Sequence, residues 1–270
     1  MKVTLALIAE LFRETAAHRA FWAMPGFSTV VLLVLAALRV ETGVPASVAL
    51  LGFESSAGDI ATLLANFLGL LAAFLVSAGL LVILGAAASV LPALFEPGRI
   101  EWLLAKPVSR PHLLLSRYAG SLLVIALNAA YLVGGVWLIA GLKTGIWPDG
   151  LLWSAAVSMV LVASLLAIGL LAAVLTASPV WSPVLTLAAV LGAAIASQRD
   201  LLNRVVEAAP LQVFGSSLYH VLPKVWDLGV QCRNLAMGQP LTDWSALATS
   251  AVSGVLALGG AVWLFQRRSY

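Results

Sequence analysis

The stretch LFEPGRIEWLLAKPVSRPHLLLSRYAG, residues 94–120, sets four basic residues (Arg99, Lys106, Arg110, Arg117), two acids (Glu96, Glu101) and three prolines into a chain that is otherwise hydrocarbon-like. Within it, Ile100, Leu103 and Leu104 form one apolar face of a short helix over 98–105, while Arg99 and Glu101 lie off that face. Lys106 precedes Pro107, whose ring pushes it out of helical geometry, so the helix ends there. Ser109 then caps a second helix that tolerates Pro111 in its first turn and runs through Leu113, Leu114 and Tyr118 into the next apolar run. The expected product is a helix, a rigid corner and another helix, a charged bracket between two apolar segments that reads as a contact with another protein and can transmit a push.

On both sides of the bracket the composition is that of an integral membrane protein. The chain has 270 residues, 61% hydrophobic and only 10% charged, against roughly 25% charged in a soluble domain. Its mean hydropathy is +1.02. Apolar runs of about 20 residues recur without strand-like alternation, each long enough to cross a hydrocarbon core roughly 30 Å thick, which favours a helical bundle over a barrel. The expected fold is all-α, with six transmembrane helices over 20–38, 60–91, 118–140, 151–176, 180–197 and 244–265. The second apolar run continues to Phe95, about 54 Å as helix, so it projects past the bilayer before Pro97-Gly98 stops it.

Between the spans the expected pieces are few. Residues 1–19 repeat apolar side chains at Leu5, Ile8, Ala9, Phe12 and Ala16, the spacing of an amphipathic helix lying in the headgroup region. That charged start precedes the first apolar run and does not read as a cleavable signal peptide. Arg39–Asp59 reads as a polar loop, and 94–117 is the coupling segment. Residues 198–243 read as an external region whose apolar helical spacing at Leu218, Val221, Leu222, Val225 and Leu228 is interrupted by Pro223. Two readings of it stand: an ordinary loop, or helices dipping into the outer leaflet to cap an exit.

Charge sets the orientation. Lys2, Arg13, Arg19, Arg99, Lys106, Arg110, Arg117, Arg267 and Arg268 fall on one side, nine basic residues, against only Arg39 and Lys143 in short loops on the other. The positive-inside rule therefore puts both termini in the cytoplasm, at the cytoplasmic (inner) membrane. The 198–243 region carries four basic and four acidic residues and is neutral. The same placement of charge explains the net +3 without nucleic acid. A single cysteine, Cys232, forms no intrachain disulfide, and His18, His112 and His220 fall in three separate segments, so no metal site is expected.

The six spans hold no Asp, Glu, Lys, Arg or His, which disfavours a proton-coupled carrier. Their notable polar residues are Asn66, Asn128 and Tyr131, suited to bonding between helices or to touching a substrate.

The ordered set Glu96, Gly98, Glu101, Leu103, Leu104, Pro107, Ser109 and Arg110, followed by Leu113, Leu114, Arg117 and Gly120, resembles the signature of six-span ABC-2 exporter permeases of the ATP-binding-cassette class, most similar to those of multicopper-enzyme maturation systems. Arg99 stands where many relatives carry a small hydroxyl residue. The resemblance implies two permease copies, homodimeric or heterodimeric, and two separate ATPase subunits that hold ATP and Mg. It also places Glu96, Gly98, Arg99, Glu101, Leu103, Leu104, Pro107, Ser109 and Arg110 at the ATPase contact. No G-x-x-x-x-G-K-[ST] occurs, so no enzyme activity or cofactor is expected in this chain. An ion-coupled carrier and a non-transporting scaffold are the alternatives, and the cargo is left open.

Overall fold

The computed structural model describes residues 19–37, 39–41, 46–50, 53–57, 62–74, 109–178, 181–197 and 222–267. In chain order these form α1 (Arg19–Ala37), β1 (Arg39–Glu41), β2 (Ala46–Leu50), β3 (Phe53–Ala57), α2 (Thr62–Phe74), α3 (Arg110–Thr144), α4 (Asp149–Thr176), α5 (Trp181–Ser197), α6 (Val225–Ala236) and α7 (Trp244–Arg267). The expected interfacial helix before Arg19, the second half of the span over 60–91 and the stretch 198–221 lie outside the described residues. Three helices, α3, α4 and α7, are long and apolar enough to cross a membrane, and α1, α2 and α5 contribute shorter apolar helices.

A helix that is apolar all round belongs at the centre of a bundle, and α4 is that helix. Its buried residues occupy every face, from Leu151 and Val157 through Leu165 and Leu166 to Val174, and α3, α5, α6 and α7 all pack on it. Small side chains let the neighbours come close. At the α4–α7 crossing, Ser164 Oγ lies 2.7 Å from the Ser250 carbonyl and 2.8 Å from its own helix's Val160 carbonyl. A Cβ on Gly254 would meet Ser164 Cα at 2.7 Å.

Contacts fix the helix directions. Ser28 meets Asn128, Thr29 meets Tyr131, and Lys143 Nζ donates to the Ala36 carbonyl, so α1 and α3 run parallel. Ser164 meets Gly254 and Leu171 meets Gly260, so α4 and α7 run parallel. The four-residue link after α3 and the short turn after α4 make α3 and α5 antiparallel to α4. The bundle therefore has two ends: the starts of α1, α3 and α5 with the finishes of α4 and α7 at one, and the reverse at the other.

Tryptophan marks both ends. Trp22, Trp181 and Trp263 are exposed at the first, and Trp147, Trp153 and Trp244 at the second, the distribution of interfacial belts. Trp244 and Trp263 share α7 nineteen residues apart, about 29 Å of helical rise, close to the roughly 30 Å hydrocarbon core. This is a helical, membrane-associated architecture.

Two elements depart from expectation. The segment read as a polar loop contains a three-stranded antiparallel sheet of order β1-β2-β3, with Val40 opposite Val48 and Leu50 opposite Phe53. The β-branched Val40 and Val48 suit strands, and only Leu51 and Gly52 join β2 to β3, a hairpin-length connection. The other departure is the extent of α6, which starts after Pro223, where the apolar spacing is expected to be interrupted. Val225 and Leu228 keep the buried face assigned to them, but the stripe continues through Cys232 and Leu235. Its C-terminus closes on Gly238 at φ +82°, where Gln239 N–H donates to the Asn234 carbonyl and Gly238 N–H to the Leu235 carbonyl.

Helix α6 is not a surface loop element. Leu228, Cys232 and Leu235 pack with Val157 and Leu161 of α4, Val190 and Ala193 of α5 and Ala246 of α7. Lys224 N–H, at its start, donates to Ser250 Oγ more than a turn inside α7, and a Cβ on Gly150 near the α4 start would meet the Leu235 carbonyl at 2.0 Å. The helix thus climbs from within the bundle toward its second end. It therefore packs among α4, α5 and α7, while residues 198–221 of the same region lie outside the described residues.

Two glycines on α7 separate packing from propensity. Gly254→Ala forces backbone apart at Ser164 and is expected to cost about 1–3 kcal/mol, whereas Gly259, with nothing within 4 Å of a new Cβ, gains helix propensity and should be stabilised by about 0.5–1 kcal/mol as Ala. Thermal unfolding of the two variants in detergent measures the contrast.

Candidate functional site

The first end of the bundle is where the charged bracket enters. Of its expected contact residues, Glu96, Gly98, Arg99, Glu101, Leu103, Leu104 and Pro107 lie outside the described residues, and Ser109 and Arg110 lie within. Ser109 immediately precedes α3 in extended geometry (φ −66°, ψ 143°), but its hydroxyl makes no capping hydrogen bond; its carbonyl instead accepts from Leu113 N–H at 3.1 Å. Pro111 falls in the first turn, where a missing N–H removes nothing from the helix.

The turn that follows is anchored deeply. Leu113 and Leu114 are buried against Leu166, Leu170, Ala173 and Val174 of α4 and against Ala261 and Phe265 of α7. Phe265 is fully buried, the largest such side chain among the described residues. Arg110 and His112 are half-buried at the rim and Arg117 is buried one turn further in. Two residues from Phe265, the Arg267 guanidinium lies over the Trp263 ring at 4.1 Å, a cation held on an aromatic face. A load applied at Arg110 therefore meets the core of the bundle within one helical turn. Leu113 and Leu114 belonged to the quoted signature, but Phe265 had no signal in the sequence: an aromatic near the end of an apolar span looks like any lipid-facing one.

Asn128 and Tyr131 come together with α1 at mid-depth. Ser28 Oγ donates to Asn128 Oδ1 at 3.2 Å. Thr29 Oγ1 donates to the Pro25 carbonyl at 2.7 Å, so the 3.1 Å contact between Thr29 and Tyr131 has the Tyr131 hydroxyl as donor. These bonds glue α1 to α3, and Leu32 packs where Gly135 lacks a side chain. Asn66 is exposed on α2 and takes no part in this seam.

The second end holds polar groups of another kind. Gln231 spends both ends of its amide on Thr242, donating from Nε2 to Oγ1 at 2.9 Å and accepting from Thr242 N–H at 3.3 Å, which ties α6 to the linker before α7. Asp243 caps α7, its Oδ1 accepting from Ser245 Oγ at 2.6 Å, Ser245 N–H at 2.9 Å and Ala246 N–H at 3.1 Å. The Ser245 hydroxyl first, then the backbone N–H groups and nearby Lys224, hold its carboxyl below the usual range. Cys232 is buried, and desolvation pushes its thiol up to about 12. Among the described residues no group of three or more His, Cys, Asp or Glu comes together.

No protein-family model matches the chain, and no curated protein sequence matches it.

Two measurements follow from the second end. Asp243→Ala should lower stability by about 1 kcal/mol at neutral pH through the lost cap. Because the folded carboxyl titrates below its unfolded value of about 3.9, that deficit is full above this value and closes as pH falls through the lowered one; melting curves of both proteins against pH read it. Maleimide should label Cys232 in the folded protein at least about a hundredfold more slowly than in denaturant, as a thiol held protonated and covered requires.

Proposed function

We propose that the chain is the membrane-spanning permease subunit of an ATP-binding-cassette exporter, with six spans, both termini cytoplasmic at the inner membrane, a second permease copy beside it and a separate ATPase that binds ATP and Mg. The carrying observation is that helix direction gathers the start of α3, into which the signature stretch leads, with the arginine-bearing termini of α1 and α7. At the first end α1 begins with Arg19, α3 brings Arg110 and Arg117, and α7 ends on Arg267, with no acid among the described residues there. The second end mixes Arg39, Lys143, Lys224 and Arg233 with Glu41, Glu54, Asp149, Asp227 and Asp243. The positive-inside rule counts Lys and Arg and not net charge, and the described residues hold four at each end; the excess comes from Arg99 and Lys106 of the signature stretch 94–117, which leads into the first end at Ser109, and on that count the first end is placed in the cytoplasm.

Helix α3 supports a mechanical role for that end. Its 35 residues rise about 52 Å, more than a bilayer needs, and the turns carrying Arg110 and His112 stand before its charge-free stretch. In the proposed complex the coupling residues Glu96, Gly98, Arg99, Glu101, Leu103, Leu104, Pro107, Ser109 and Arg110 meet the ATPase, and α3 passes the load to α4 and α7 through Leu113, Leu114 and Phe265. The apolar spans leave amphipathic or lipid-like cargo as the best-matched class.

Co-purification with a nucleotide-binding subunit tests the class. Combining Glu101→Ala with Arg110→Ala should weaken that association by at least about tenfold, the loss of roughly one charge-assisted hydrogen bond. Association and coupled ATP turnover both unchanged in the double variant would remove this stretch from the contact.

A further inference from the structure

The α1–α3 seam has hydrogen-bonding capacity left over at a depth where lipid offers none. Tyr131 lies beside Ala130, the centre of the charge-free stretch of α3 from Tyr118 to Leu142, and Thr29 lies beside the centre of α1. Both are exposed, Tyr131 at 47%, on an α3 stripe that otherwise reads Leu115, Leu123, Leu127, Leu138 and Leu142. With Tyr131 donating to Thr29 and Thr29 to Pro25, the two hydroxyl oxygens keep acceptor capacity. Asn128 accepts from Ser28 through Oδ1, and among the described residues nothing accepts from its two amide hydrogens. Leaving such donors in hydrocarbon costs several kcal/mol.

The leftover groups complement themselves. Asn128 offers donors and Tyr131, one helical turn away, offers an acceptor, so a twofold axis along the membrane normal would set each Asn128 against the other copy's Tyr131. This reciprocal pairing is the signature of an isologous contact. We propose that the α1–α3 face centred on Tyr131 is the docking surface for a second copy of this chain. The inference deepens the dimeric permease reading by naming the face the two copies share. Two lengths of helix meeting at matched depth also satisfy the amides that no lipid can.

The chain's own thiol does not interfere with a crosslinking test, because Cys232 is fully buried. Tyr131→Cys, and separately Leu127→Cys one turn earlier on the same stripe, are placed in membranes holding the full-length protein and oxidised with copper phenanthroline; Val255→Cys, exposed on α7, is the comparison. Disulfide-linked dimers at 127 or 131, with none at 255, are expected. No dimer at either α3 position, or equal yields at all three, overturns the proposal, the second because it reports random collision. In the Leu127→Cys background Tyr131→Phe should lower the dimer yield about threefold, the value of one interhelical hydrogen bond near 0.6 kcal/mol, and an unchanged yield would remove the hydroxyl from the interface. ATPase co-purification is scored separately, so loss of this face leaves the permease reading standing, and loss of the ATPase leaves the dimer measurable.

Discussion

The contact between Ser164 and Gly254 holds α4 and α7 at backbone distance, and most of the bundle is organised from it. In hydrocarbon, helices gain little from hiding apolar side chains, since lipid is as apolar as leucine; close approach and shared hydrogen bonds decide which helices pair. A side chain at 254 would move α7 outward. It would open the pocket that Phe265 and Leu114 fill further along, and it would shift Ser250, whose hydroxyl receives Lys224 N–H at the start of α6. One missing side chain thus sets both the anchor of α3 at one end and the seat of α6 at the other.

Depth and direction follow from simple lengths. The rise from Trp244 to Trp263 is about that of a hydrocarbon core, and the parallel and antiparallel contacts carry the same two-ended frame to α1, α3, α4 and α5. Within it the four arginines of the first end fall together although they are distant in sequence. The same frame places the Thr29–Tyr131 pair near the middle, where an exposed hydroxyl is a chemical fact to be explained instead of a routine surface feature.

Much of this was readable in the sequence, and the parts that were not have identifiable causes. Long apolar runs show themselves by length alone, so the spans over 118–140, 151–176 and 244–265 sit inside α3, α4 and α7. Asn128 and Tyr131 stood out as polar residues in such runs, but their partners Ser28 and Thr29 did not, because small hydroxyls are scattered through every span and satisfy themselves on the preceding turn. The strands over 39–57 were missed since Gly, Pro, Ser and Glu there read as loop composition, and short strands take their stability from pairing, which no local window registers. At α6 the apolar spacing at Val225 and Leu228 and the interruption at Pro223 are legible, and the contacts with α4 and α5 show that the stripe extends to Cys232 and Leu235.

The insertion of α6 also changes what the uncharged spans mean. The expected spans hold no Asp, Glu, Lys, Arg or His, yet two cations are buried among the helices: Arg117 on α3 toward the first end, and Lys224 at the start of α6, against α7, with Asp243 close enough to feel its charge. A lysine at a helix N-terminus works against the helix dipole, and burial adds to the cost, so its place is sustained by what surrounds it: the Ser250 hydroxyl on its backbone and the Asp243 carboxylate near its ammonium. Charge thus enters the bundle from both ends, on α3 at the first and on the short α6 at the second.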